Sequence, residues 1–360
     1  MKPILLFSLA ILLLAACQLI EQDSPAEVNP STEVRSEGVS LQHYEAEQVV
    51  QVFVDGQPFT AYRYDPAIKK PVLFPIHAAN GTAVTRGYPL EPQAGEQADH
   101  LHHVGHWLNH GVVNQVDFWA STAETQSTAD KVYGAIVHRN FETLEEGDKG
   151  ELAYVADWIS DEEDSLLVEN TRFIFSGEDN FRTIDRITIL TAKEEPVTFE
   201  DSKEGMMAVR VARFMEQPYD QPQEIIGENG RITQEEIIDN TAVNGLFYSS
   251  EGLEGDAVWG SRDKWVMMAS DQDSMYYSIT IMDHPDNVNY PTHWMARGYG
   301  LFAANPLGSA AYTEGREQLN FQLAPTESVT FTYRILIHQG DKLNTAELNQ
   351  IYEEFRQTSF

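Results

Sequence analysis

Five histidines lie within eleven positions of this 360-residue chain, in a segment that also carries acidic and aromatic side chains. They are His100, His102, His103, His106 and His110. A neutral imidazole is a good metal ligand and a good Brønsted base near pH 7. If the stretch is extended, His100 and His102 share one face and His103 points away, so two imidazoles would converge on one ligand.

Three interpretations of this cluster are open. The histidines form hydrogen bonds at strand ends, or His100 and His102 bind a divalent transition metal, or they act in acid–base chemistry or substrate binding without a tightly held ion. The pattern His-x-His alone supplies no third ligand, so it is a weak metal signal. For the third interpretation, His102 or His103 is the candidate base.

A second segment, residues 283–308, is rich in Pro, Gly and Asn, and we expect it to be an irregular loop. Long ordered loops in compact domains are usually functional. We predict Tyr299 or His284 as the acid and Arg297 as the cation that stabilises negative charge. Trp294 is equally well explained as part of the core. The predicted substrate-binding residues from both segments are Trp107, Asn114, Trp119, His293 and Trp294.

The elements that must position these residues are mostly strands. Residues 51–64 alternate around Asp55-Gly56, which predicts a hairpin. Further alternating or β-branched runs are residues 72–76, 132–136, 152–158, 173–175, 184–190, 206–211, 276–282 and 329–337. Near the end, Asn344 and Glu347 precede an apolar face at helical spacing. The sequence therefore predicts an all-β fold, a large antiparallel β-sandwich with a short C-terminal helix.

Composition limits the partners. The net charge is −32, from 56 acidic and 24 basic residues, which argues against nucleic acid. A single cysteine excludes a disulfide framework and a thiolate-bound metal cluster.

That cysteine, Cys17, follows a short basic start, an apolar run from Ile4 to Ala16 and the small residues Ala15-Ala16. This pattern is typical of a bacterial lipoprotein signal. We predict a signal peptide at residues 1–16, a lipid-anchored flexible linker at residues 17–40 and one β-sandwich domain at residues 41–360. Lipidated Cys17 would tie the protein to a membrane of the bacterial cell envelope, and Gln18 favours the outer membrane.

Several segments resemble the bacterial DUF6807 family. They are residues 99–107, 114–119, 196–205, 283–285 and 299–306, in consistent order across roughly residues 71–340. The family commonly has Arg after the paired His, where this chain has Val104. Members are often labelled methane oxygenases, but that label does not fit a chain without long apolar segments after Ala16. The resemblance implies a galactose-mutarotase-like supersandwich and an association with carbohydrate breakdown.

We therefore expect a secreted, lipid-anchored protein acting on an oligosaccharide or polysaccharide, as an enzyme of the lyase, dehydratase or epimerase type. A glycoside hydrolase is the first alternative, because Asp99, Asp117, Asp283 and Asp286 lie in the same segments. A noncatalytic glycan-binding lipoprotein is the second. The cofactor is unknown, and a divalent metal ion is one possibility.

Overall fold

A computed structural model describes residues 37–161 and 164–360. The predicted signal peptide and most of the predicted linker lie outside these residues. None of the helices in the described part of the chain has the length and apolar composition to span a bilayer.

The described residues form 21 strands and one α-helix, α1, at Thr345–Arg356. The first ten strands are β1 Val39–Tyr44, β2 Val49–Val54, β3 Gln57–Arg63, β4 Val72–Ile76, β5 His106–His110, β6 Val112–Val113, β7 Val116–Asp117, β8 Val132–Tyr133, β9 Ala135–Glu145 and β10 Gly150–Ile159. The remaining strands are β11 Ser165–Glu178, β12 Phe181–Ala192, β13 Val197–Phe199, β14 Gly205–Arg210, β15 Leu246–Ser249, β16 Trp265–Gln272, β17 Met275–Asp283, β18 His293–Arg297, β19 Leu301–Asn305, β20 Phe321–Leu323 and β21 Ser328–Gly340. Three single-turn 3-10 helices lie at Pro66–Ile68, Arg213–Met215 and Gly255–Val258.

Two eight-stranded antiparallel sheets face each other. The first has the order β1-β2-β3-β4-β5-β14-β19-β18, and the second has the order β15-β16-β17-β21-β12-β11-β10-β9. A smaller sheet, β20-β13-β6-β7-β8, contains the parallel pair β7 and β8. The main core lies between the two large sheets, where Phe59 meets Phe175 and Tyr62 meets Tyr154. The predicted all-β sandwich is confirmed.

The helix also agrees with the sequence. Asn344 and Glu347 form a reciprocal capping box, so the first turn of α1 has its free N–H groups satisfied. Leu348, Tyr352 and Phe355 are buried against the second sheet. The helix therefore packs on the sandwich.

One structural expectation is wrong. Residues 283–308 are not a continuous irregular loop, because they contain β18 and β19, which pair with each other. The period of two along β18 decides where its side chains go: Trp294 and Ala296 enter the main core, while Met295 lies on the opposite face.

That opposite face of the first sheet carries the site. A row of paired residues crosses four strands, from Trp107 through Ala208 and Ala303 to Met295. The next row places Arg210, Leu301 and Arg297 side by side. The two alanines in the middle of the first row have small side chains, so the surface is recessed there between the larger side chains at both ends.

Candidate functional site

Residues 100–103 form a tight turn before β5. The backbone N–H of His103 donates to the carbonyl of His100 at 2.9 Å, and His100 has a positive φ of 42°. The expectation that an extended strand points His103 away from His100 and His102 is therefore wrong. The turn gathers all three rings, with centroids 4.6 Å apart for His100 and His103, 4.3 Å for His102 and His103, and 5.6 Å for His100 and His102.

Gly105 allows this turn to pack on the sheet. Its φ is +54°, and a Cβ atom added there would lie 2.1 Å from the carbonyl oxygen of Leu73. A side chain at this position would push the turn off β4.

Asp99 anchors the turn from below. Its carboxylate accepts hydrogen bonds from Arg86 Nη1 and from Arg210 Nη2, the latter at 2.9 Å, and it contacts His100 Nδ1 at 2.5 Å. Arg86 also donates to the carbonyls of His100 and His103. Both arginine side chains are fully buried. Burial raises the pKa of Asp99, but Arg210, the His100 hydrogen bond and Arg86 more than offset this and hold it well below its usual range.

Because Asp99 is ionised, it accepts hydrogen bonds and donates none. In the neutral ring, His100 Nδ1 then carries the proton and Nε2 has a free lone pair. This Asp–His pair has the arrangement of a base and its orienting carboxylate. The His100 side chain is 41% exposed, so Nε2 is within reach of a ligand.

His102 and His103 are neutral at pH 7. Burial, followed by the charges of Lys70 and His100, lowers the pKa of His102 to about 2. Burial also lowers the pKa of His103 strongly, with His102 and Arg210 adding to the effect. His103 Nε2 is buried and has no hydrogen-bond partner among the described residues. Such a nitrogen is expensive to leave unpaired, so a bound ligand would account for it.

The second segment supplies the opposite wall. Tyr299 stacks on His100, with the ring centroids 5.2 Å apart and the planes at 10°. The Arg210 guanidinium lies 4.7 Å from the Tyr299 ring centroid. Burial raises the pKa of Tyr299 to about 12, against the opposing charges of Arg210 and Arg297. Its phenol therefore stays protonated at neutral pH.

These walls enclose a cleft of about 320 Å³. Its lining combines three histidines, three cations, two carboxylates and aromatic side chains: His100, His102, His103, Asp117, Trp119, Ala120, Lys131, Lys203, Glu204, Met295, Arg297 and Tyr299. The structure thus brings His100, His102, His103, Trp119, Arg297 and Tyr299 together, out of both predicted segments.

Trp107 and Lys70 lie beneath this cleft. The Trp107 ring is fully buried and stacks under His103 at 5.3 Å, so it supports the floor without being open to a sugar. Lys70 Nζ donates to the carbonyl of His102 at 2.9 Å and lies 5.5 Å from the Trp107 ring centroid. Burial lowers the pKa of Lys70 to about 7, although Asp117 opposes the shift.

Besides Trp107, four other predicted residues lie outside the cleft lining. His284 packs on Phe355 of α1, and Trp294 is fully buried in the main core, where its indole N–H donates to the carbonyl of Asp263. His293 is buried, stacks on Tyr312 and contacts the carbonyl of Gly260.

Asn114 is the fourth. Its side chain donates to the carbonyl of Pro196 and accepts from the backbone N–H of Thr198, beside a larger hollow of about 620 Å³. The described lining of that hollow contains no histidine and no aromatic side chain.

Sequence reasoning missed several contributors. Arg86, Arg210 and Lys70 sit alone in strand-like or turn segments, and no spacing connects them to the histidines. Lys131 reaches the cleft from a distant part of the chain. Only the unusual presence of a cation in an apolar run, as in Ala208-Val209-Arg210-Val211, gives a signal in the sequence.

A metal ion does not fit the residues present. Within residues 37–161 and 164–360, no group of three or more His, Cys, Asp or Glu side chains is arranged to hold one. His100 Nδ1 is already engaged by Asp99, which leaves at most one nitrogen from that ring. We therefore assign no step to an ion.

A family of unknown function, DUF6807, matches residues 49–353. The chain belongs to this family. No curated protein matches the DUF6807 chain.

Solved structures that match include the galactosidase domain of the α-galactosidase-sucrose kinase AgaSK, at 8% identity and a TM-score of 0.38, covering 84% of this chain and 42% of that one. A β-arabinopyranosidase matches at 10% identity and a TM-score of 0.31, covering 86% of this chain and 40% of that one. A galactose mutarotase-related enzyme from Lactobacillus acidophilus matches at 8% identity and a TM-score of 0.32, covering 83% of this chain and 97% of that one. The chain thus spans about two fifths of the first two proteins.

Proposed function

We propose that this DUF6807 protein is a carbohydrate-active enzyme that removes a proton from a sugar carbon beside a carbonyl or carboxyl group. This is the first step of lyase, dehydratase and epimerase reactions. One observation carries the proposal: His100, which Asp99 holds, lines a single cleft together with Tyr299 and Arg297. A base, a proton donor and a cation are the groups that such a reaction requires.

His100 is the base in this proposal, in place of His102 or His103. Its Nε2 takes the proton from carbon, and the ionised carboxylate of Asp99 stabilises the imidazolium that forms. The lowered pKa values of His102 and His103 make them weak proton acceptors. As neutral rings, they are suited to hydrogen bonds with sugar hydroxyls.

Tyr299 and Arg297 complete the reaction. The electron pair left on carbon moves into the adjacent carbonyl, and Arg297 stabilises the resulting enolate. In an elimination, the Tyr299 hydroxyl gives its proton to the departing oxygen as the carbon–oxygen bond breaks. In an epimerisation, a proton returns to the same carbon on the opposite face.

Hydrolysis is the second candidate, because Asp117 and Glu204 both line the cleft. Each is paired with a lysine at 3.0 Å, Lys131 for Asp117 and Lys203 for Glu204. A glycosidase acid must donate to the glycosidic oxygen, and each of these carboxylates is instead engaged by a lysine. The ion pairs therefore favour proton abstraction over hydrolysis.

The location belongs to the same proposal. Cys17, preceded by an apolar run and small residues, would carry the lipid that holds the enzyme at the cell envelope. A tethered enzyme with a solvent-facing cleft is suited to a polymeric or oligomeric glycan outside the cytoplasm.

The experiment incubates the enzyme in D2O with uronic-acid, keto and unsaturated oligosaccharides and follows products by mass. Deuterium incorporation at the carbon marks the return of a proton, as in an epimerisation, and loss of water marks dehydration. Chain cleavage with an unsaturated product marks elimination. Addition of water would contradict the proposal in favour of hydrolysis, and tight binding without any product would favour the glycan-binding alternative.

The variants His100→Gln and Tyr299→Phe test the assigned roles. Each should lower turnover by about 10² to 10⁴-fold. The double variant should lose less than the product of the two effects, because the groups act as a unit. His43→Gln is the matched control, since His43 is exposed and contacts Tyr64 outside the cleft. Full turnover in both single variants would refute the assignment.

A further inference from the structure

Arg297 is a cation of the cleft that forms no ion pair with a carboxylate of the described residues. The lining holds two other cations, and each forms an ion pair: Lys131 with Asp117 and Lys203 with Glu204. Within the described part of the chain, the Arg297 guanidinium has no hydrogen-bond or ion-pair partner. In a protein with 56 acidic and 24 basic residues, an arginine left without an acidic partner in a cleft points to an anionic ligand.

Trp259 fixes the orientation of this guanidinium. The central carbon of Arg297 lies 3.6 Å from the Trp259 ring centroid, which is a close cation–π contact. The indole follows the 3-10 helix Gly255–Val258, and its other neighbour is the Tyr312 ring at 5.1 Å. Stacking occupies one face of the guanidinium and leaves its N–H edge free for hydrogen bonds in the plane.

The free edge of an arginine matches a planar carboxylate, which accepts two parallel hydrogen bonds. A carboxylate also fits the proposed chemistry, because a carboxyl group acidifies the C–H on the adjacent carbon. A sulfate ester would satisfy the charge but would not assist proton removal. The two requirements together select a sugar acid.

We propose that the cleft recognises the carboxylate of a hexuronic acid unit, with Arg297 as its bidentate partner and Trp259 as the positioning residue. This inference rests on the proposed function, since it names the substrate class for the same cleft. His100 and Tyr299 then face the carbon next to the bound carboxylate.

Calorimetry tests the recognition without requiring turnover. The probes are oligogalacturonate, oligoglucuronate, the methyl ester of each and a 6-O-sulfated neutral oligosaccharide. At least one acid should bind the wild-type protein about tenfold to a hundredfold more tightly than its methyl ester, as expected for charge-assisted hydrogen bonds. That preference should shrink as salt is added, because ions screen a partly exposed pair.

Three variants assign the preference to residues. Arg297→Gln should reduce the acid-to-ester ratio to about one while leaving ester binding nearly unchanged. Trp259→Leu should reduce the ratio several-fold, and Trp259→Phe, which keeps a stacking face, should restore most of it. Arg231→Gln removes an exposed arginine outside the cleft and should leave the ratio unchanged. Circular dichroism and melting curves verify that each variant is folded.

The outcomes separate this inference from the proposed function. Equal binding of acid and ester, tighter binding of the sulfated sugar, or no binding of any hexuronate would overturn carboxylate recognition. Deuterium exchange with a neutral keto sugar at least as fast as with the uronates would also overturn it, yet would support proton abstraction. Selective binding of a hexuronate without exchange or product would support the inference and refute the proposed enzyme.

Discussion

Replacing Asp99 by Asn tests whether one carboxylate holds the histidine turn, residues 100–103, in place. Asp99 is the shared anion of Arg86 and Arg210, whose side chains are both fully buried. Removing one partner of a buried ion pair costs about 3–5 kcal/mol when the other charge loses its partner. Arg210 keeps a weaker ion pair with Glu216 at 3.7 Å. The Asp99 side chain keeps 24% of its surface exposed, which allows some solvent screening. We therefore expect a loss near the lower limit, about 3 kcal/mol.

Urea unfolding followed by tryptophan fluorescence measures this loss. Asp286→Asn is the matched control, because that side chain is 92% exposed and its ion-pair contact is with His284 at 3.7 Å. The control should change stability by less than about 0.5 kcal/mol. A loss below about 1 kcal/mol in Asp99→Asn would refute the reasoning, because the arginines would then not depend on this carboxylate.

The same pair of proteins gives a pH test. The pKa of Asp99 is lower in the folded chain than in the unfolded one, so its stabilising contribution is fully present above its unfolded pKa of about 3.9. The contribution is lost as the pH falls from there toward the folded value. The stability difference between wild type and Asp99→Asn should therefore shrink as the pH falls below about 4. A difference that grows on acidification would contradict the assigned charge.

Three further predictions concern Lys70 beneath the cleft, Gly105 beside the histidine turn and the predicted lipid anchor at Cys17. Burial lowers the pKa of Lys70 to about 7, so the unfolded chain binds more protons above that pH. In urea unfolding, the stability of the wild type should rise relative to that of Lys70→Met between pH 7 and pH 9.5, by on the order of 3 kcal/mol. The same pH dependence in both proteins would contradict the lowered pKa of Lys70. Gly105→Ala should destabilise by about 2 kcal/mol or more, because its Cβ would meet the Leu73 carbonyl. Gly81 has a φ of +88°, but a Cβ atom added there would meet no atom within 4 Å. Gly81→Ala therefore isolates the cost of the backbone conformation and should lose about 1 kcal/mol of stability in the same urea assay. Cys17→Ser should move the protein from the membrane fraction to the soluble fraction, with loss of the lipid mass at residue 17, whereas a soluble wild type processed well downstream would contradict lipidation.

The strands and the helix were predictable because their signals are local. Alternation around Asp55-Gly56 predicts the hairpin of β2 and β3, and the capping pattern predicts α1. Strand order was not predictable, since β5 pairs with β14 about a hundred residues away. Proline and glycine masked β18 and β19, where the alternation of Trp294 and Met295 still carried a strand signal.

The site was predictable only in part for the same reason. The histidine cluster identified one wall by its composition, and Arg297 and Tyr299 identified the other. The role of Asp99 depends on Arg210, which is 111 residues away, and no local pattern connects the two. His284 has the same chemistry as His100, but it follows the end of β17 and packs on α1 instead of facing the cleft. Residue type therefore indicated candidates, and strand register selected among them.

The buried layer beneath the cleft affects both the protonation of its histidines and the stability of the fold. The neutral state of His102 and His103 depends on burial, which Trp107, Trp119 and the arginine-held turn provide. Substitutions in that buried layer should thus change both folding free energy and the pH dependence of turnover. Arg297 lies at the partly exposed edge of the same sheet, so its removal should change ligand affinity with little effect on folding. A variant series that separates these two responses would distinguish residues that build the cleft from those that contact the substrate.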